Sequence, residues 1–152
     1  MTYLTADARQ RLLDDLAIAI EELATALAVL GAAYELLDER TADRMEEELF
    51  RGAQTAFGRA QRTHAAFAAR YSLAGRTFEQ PAPGLVSQGA RAFLERAGEA
   101  ISEADTALAE LQDSMLPVEV GDPELRAGLA EVRTLVGELQ GRAQQFVRRF
   151  GR

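Results

Sequence analysis

The sequence predicts an all-α protein, an antiparallel up-down-up-down four-helix bundle with long helices. Three observations carry this. Apolar residues recur at three- and four-residue steps through four long segments. Punctuation is sparse, and Pro81, Pro83, Pro117 and Pro123, which interrupt helices, fall at the breaks between segments. The 152 residues form one domain, 1–152, long enough to bury about 70% of its unfolded surface.

The first helix is expected over about 6–37, with Thr5 as its N-cap. Leu13, Leu16, Ile20, Leu23, Leu27, Leu30, Tyr34 and Leu37 form a heptad-like seam for partner helices. The second is expected over about 42–74, with Phe50, Ala53, Phe57, Ala60, His64, Phe67 and Tyr71 in its seam. The third covers about 85–115, from Val86 through Phe93, Ala97, Ile101 and Leu108 to Met115. The added step between Ala97 and Ile101 unwinds a supercoil locally. The fourth, about 123–150, has the clearest start. Asp122 caps it, Pro123 takes the first helical position, and Glu124 complements the positive end of the helix dipole. Leu125, Leu129, Val132, Val136, Leu139 and Phe146 continue its apolar face.

Charge bears on the arrangement. The four segments alternate in sign, negative then positive, along a chain of net charge -7. An up-down-up-down ring then gives every helix neighbours of opposite sign. That path gathers the acids of the first and third turns at one pole and arginines at the other. The arginine pole includes Arg148, Arg149 and Arg152 and is expected to receive an anionic partner, such as the acidic pole of another copy.

Several chemistries lack their residues. Without cysteine there is no disulfide, thiolate metal site or cysteine nucleophile. Carboxylate-bridged di-iron chemistry needs two Glu-x-x-His motifs, and His64 is the only histidine. No Gly-x-Ser-x-Gly elbow and no phosphate-cradling glycine loop occurs. The reading therefore assigns no catalytic residue, no metal and no cofactor. All 17 basic residues are arginine, and lysine and asparagine are absent, which points to a GC-rich bacterial genome. The net negative charge opposes nucleic-acid binding. No apolar run is expected to reach the roughly 18 residues of a membrane span, and the N-terminus lacks the layout of a signal peptide. A cytoplasmic protein is expected.

Four features remain. His64 shares a stripe with Phe50, Phe57 and Tyr71. One reading is a packed aromatic core, with the imidazole hydrogen-bonded to a neighbouring helix or to water. The other is a small-ligand or cofactor-binding bundle, for example one holding haem on His64 with Met45 or Met115 as second ligand. Glu39 and Asp43, in "DERTADRMEEE", read as a solvated turn at a helix start. Gly137 and Gly141, in "GELQG", read as a close-packing point. Ile18, Val29 and Leu36 face away from the first seam and predict a helix-to-helix contact between copies. The expected function is a non-catalytic helical scaffold or protein-interaction module that self-associates as a homodimer.

Overall fold

In a computed structural model the chain is all-helical, with no strand among the described residues, which run from 2 to 150. Helix α1 spans Thr2–Leu36. Helix α2 (Glu39–Met45), a π turn (Glu46–Phe50) and α3 (Arg51–Arg70) make one rod, because the junction residues keep helical dihedrals. A link then leads through a 3-10 turn (Val86–Gln88) to α4 (Ala90–Asp113), the short α5 (Leu116–Glu119) and α6 (Pro123–Phe150).

Local chemistry sets the boundaries. The Asp38 carboxylate accepts from the Thr41 amide at 2.9 Å and starts α2. Asp122 does the same for the Leu125 amide at 2.8 Å and starts α6, as its sequence predicts. The rod stops at Ser72, whose left-handed φ of 55° cannot continue a helix. Gly89, at φ 88°, separates Leu85 and Val86 from α4. The third helix therefore begins later than its apolar rhythm suggests, and both residues are exposed. Helix α1 is already formed at Thr2, ahead of its expected Thr5 cap.

Helix α1 lies at the centre of the hydrophobic packing. Leu12, Leu16, Ala19, Ile20, Leu23, Ala26, Val29 and Leu30 are all fully buried, although they point in several directions around the helix. Helix α4 covers one side and α3 another. The link returns past both helices: Arg76 pairs with Glu21 of α1, and Phe78 packs against His64 of α3. A helix enclosed this way is apolar nearly all round. One 18-residue window of α1 reaches a mean hydropathy of 1.8, enough by length and composition to span a bilayer. That corrects the expectation drawn from uninterrupted runs. Within the fold, 67% of the window is buried.

The neighbours differ from the ring that charge predicts. Helix α1 packs most extensively on α4, and then on α3; α6 likewise packs on α4 and α3. The two acidic helices are thus neighbours, not diagonal partners. Glu22 meets Glu103, and Asp15 lies near Glu110. Arg59 of α3 meets Glu131 of α6, and Arg70 meets Asp122. In each pair of helices one residue number falls as the other rises. The energetic reason is a difference of scale. An exposed ion pair is worth ~0.2–1 kcal/mol, whereas fully burying one leucine is worth ~1.5–3 kcal/mol. Helix α1 has apolar residues to cover on most sides. The buried alanines of α4 (Ala97, Ala100 and Ala104) let another backbone approach closely.

The seam of α3 is also rotated from its expected position. Ala53, Ala56, Ala60, Thr63, His64, Phe67 and Ala68 are buried, while Phe50, Phe57 and Tyr71 are only half-buried. The buried face has turned to serve α6 as well as α1. The close-packing glycine is Gly128, where a Cβ would sit 2.8 Å from Thr63 Cγ2. Gly137 and Gly141 have nothing within 4 Å of that position, so "GELQG" is an open surface turn of helix.

Candidate functional site

The helix neighbours sort surface charge sideways. Helices α1 and α4 each hold six acids and two arginines, net -4 apiece, so their side carries -8. Helix α3 holds four arginines and no acid, and α6 five arginines and three acids, +6 for the two helices together, of which Arg133 reaches across to Asp105 of α4 at 2.9 Å. This transverse polarity replaces the lengthwise dipole expected from the sequence.

On the acidic side, burial pushes the Glu22 carboxyl up from its ordinary value, and the charge and hydrogen bond of Glu103 push it further. Burial raises Asp15 too, against Arg11, with Asp14 and Glu110 reinforcing the shift. A cleft of about 260 Å³ runs between the helices here, lined by Glu22, Thr25, Arg96, Glu99, Ala100 and Glu103. On the basic side, Arg59, Arg62 and Arg70 line a groove of about 220 Å³ between α3 and α6. Arg59 reaches Glu131 at 2.7 Å. Arg51, Arg62 and Arg142 are exposed, and among the described residues none has a carboxylate partner.

The predicted arginine pole is divided between the two ends. Arg149 reaches Glu48 at 3.8 Å, and Arg44 lies over the Phe146 ring at 5.2 Å. The last turn of α6 therefore sits beside the chain's own acidic segment around α2. Arg148 is exposed on a groove of about 740 Å³ between α4 and α6, with Glu95 and Glu99 opposite. Arg152 lies outside the described residues. At the far end, Arg9 donates to the Val120 carbonyl at 3.0 Å and covers the Tyr71 ring at 3.9 Å.

That far end holds a connected polar cluster. Arg70 forks onto Asp122, with Nε to Oδ2 at 2.7 Å and Nη2 to Oδ1 at 2.9 Å. Its Nη1 donates to Glu124 at 2.9 Å. The Tyr71 hydroxyl donates to Asp122 Oδ2 at 3.0 Å. Burial pushes the Asp122 carboxyl up. Arg70, the Leu125 amide and Tyr71 together outweigh that, so its net shift is downward. The sequence discloses Asp122 as a cap. Its partners Arg70 and Tyr71, 52 and 51 residues earlier in the chain, carry no sequence signal.

The apolar stripe on α1 is not a surface. Val29 is fully buried, whereas Ile18 is 53% and Leu36 39% exposed. The seam analysis treats α1 as one-sided, but the fold covers it on more sides. Glu39 and Asp43 are exposed, as expected of a solvated turn. Among the described residues no three metal-ligating side chains converge.

His64 is 97% buried by its relative exposure of 3%. Among the described residues its Nδ1 has no hydrogen-bond partner, so of the two expected links, to a neighbouring helix or to water, that nitrogen does not make the first. The ring meets Phe78 edge-on at 5.3 Å. Burial pushes the imidazole pKa below 6.5; nearby Arg76 acts the same way and Asp14 against it. Phe78 comes from the link, so a search confined to helix seams misses it; its signal is a lone aromatic in a proline-rich, polar stretch. Met45 is buried but lies 19 residues away along the same rod, about 28 Å at 1.5 Å per residue. It cannot share a ligand with His64. Met115 occupies a left-handed turn after α4 and is half-exposed.

No protein-family model, curated protein or solved structure matches the chain.

Proposed function

We propose that this chain is a non-catalytic helical scaffold, a protein-interaction module that self-associates, with a dimer as its smallest assembly. We further propose an antiparallel four-helix bundle whose rods run up, down, down and up. Residues 71–89 are then a long crossover, in place of the short link of an up-down-up-down path. The residue pairings between α1 and α4, and between α3 and α6, support that order. The observation that carries the functional reading is the sideways sorting of charge, which leaves carboxylates such as Glu99 and Glu110 on one side and the guanidinium groups of Arg51, Arg62 and Arg142 on the other, with no ion-pair partner among the described residues.

The proposed setting is the bacterial cytoplasm, with protein partners and no membrane span. Net charge of -7 repels a phosphate backbone, and burial of 67% of the apolar window of α1 supports the absence of a span. Sedimentation velocity at low and high salt tests self-association. The expected result is a species heavier than a monomer at low salt that dissociates as salt rises. A monomer at every salt concentration rejects the reading. The unpartnered Nδ1 of His64 favours a second reading, a bundle that takes a cofactor on that nitrogen. A haem titration with no Soret shift, or the same shift in His64→Leu, removes it.

A further inference from the structure

The two charged sides are complementary to each other, and this identifies the partner. We propose that the basic α3/α6 side of one copy docks on the acidic α1/α4 side of the next, a heterologous contact between copies of this chain. The proposal rests on the self-association reading and gives it a geometry.

Charge and spacing support the match. Arg51 and Arg62 stand 11 residues apart on α3, three helical turns or roughly 16 Å. Glu99 and Glu110 have the same 11-residue spacing on α4. All four are exposed, and none has an oppositely charged partner within the described residues. Arg142 stands beside Gly52 of α3, adding a third cation to the basic side. On the acidic side Glu103 faces Glu22, a like-charge contact that Arg96 offsets only in part and that an incoming guanidinium relieves further. Guanidinium suits this role, since it pairs with carboxylates in a fork of two hydrogen bonds.

A contact between two different surfaces of one molecule does not close on itself. Each docked pair leaves one basic and one acidic side free, so assembly continues into a ring or an open chain. The symmetric homodimer expected from an apolar stripe on α1 would stop at two. Overall charge of -7 opposes any assembly. At physiological ionic strength, charges farther apart than about 8 Å are screened, so contact-range attraction survives while the longer-range repulsion fades.

Complementation tests the geometry. One variant carries Arg51→Gln, Arg62→Gln and Arg142→Gln; the other carries Glu99→Gln, Glu103→Gln and Glu110→Gln. Circular dichroism establishes that both remain helical, as substitutions of exposed residues should. Sedimentation then follows each variant alone and both in equal amounts. The expected result is loss of assembly in each variant alone, and a terminated 1:1 heterodimer in the mixture. If the wild type assembles and either variant does so equally well alone, the heterologous contact is overturned while self-association stands. Variants that both lose assembly but do not complement overturn the pairing of these two sides. A wild type that stays monomeric overturns self-association too, and the charged sides then serve a different protein.

Discussion

Replacing Asp122 by alanine removes three roles at once. The carboxylate caps α6 through the Leu125 amide, holds Arg70 in a two-bonded fork, and accepts from the Tyr71 hydroxyl. Loss of an N-cap costs ~0.5–2 kcal/mol. Hydrogen bonds to charged groups contribute ~1.5–3 kcal/mol when well enclosed. Here the side chains are 29% and 15% exposed, so the lower end applies, and the sum for Asp122→Ala is ~2–4 kcal/mol. For a chain of this length that is a fall in Tm of roughly 4–16 °C. Asp122→Asn retains a cap acceptor and should cost about half as much. Urea unfolding followed by circular dichroism measures both. The pH dependence has a definite sign. The folded pKa lies below the ordinary 3.8, so the carboxylate's contribution is complete above 3.8 and is lost as pH falls through the lower folded value. The gap between wild type and Asp122→Ala should therefore narrow in strong acid. A cost under ~0.5 kcal/mol at neutral pH, against the ~1 kcal/mol typical of a cap alone, would refute the reasoning and make the cluster a surface ornament.

Three further outcomes are expected. Gly128→Ala should destabilise by ~1–3 kcal/mol, because the new methyl enters Thr63; Gly137→Ala, with open space, should stabilise by ~0.5–1 kcal/mol, and thermal melts of the pair compare them directly. The lowered pKa of His64 means that stability is complete above about 6.5 and declines as pH falls through the folded value; His64→Leu should flatten that decline, seen as Tm against pH. The raised pKa of Glu22 works the other way, with its contribution complete below 4.5 and lost as pH rises, so Glu22→Gln should remove that loss and raise Tm at neutral pH.

Helical class, the approximate reach of each rod and the Asp122 start of α6 were all legible in the sequence. They follow from local causes: side-chain period, the reach of a carboxylate to an amide three residues on, and proline at a first helical position. The lack of cysteine, of paired Glu-x-x-His motifs and of a Gly-x-Ser-x-Gly elbow was equally legible, because residue types and motifs are read directly from the chain. Which helix lies beside which was decided only in three dimensions. A heptad seam states that a face must be covered but not by what, and weak surface charge yields to the burial of α1. From that single outcome came the rest that the linear reading missed. Val29 went inside because α1 is enclosed on several sides. Arg148 and Arg149 came to rest beside acids, while Arg70 met Asp122 at the other end. Phe78, from a stretch without helical period, became the cover of His64. The charged sides of the molecule, the surface on which its proposed function rests, exist only because two acidic helices pack together against the preference of their charges.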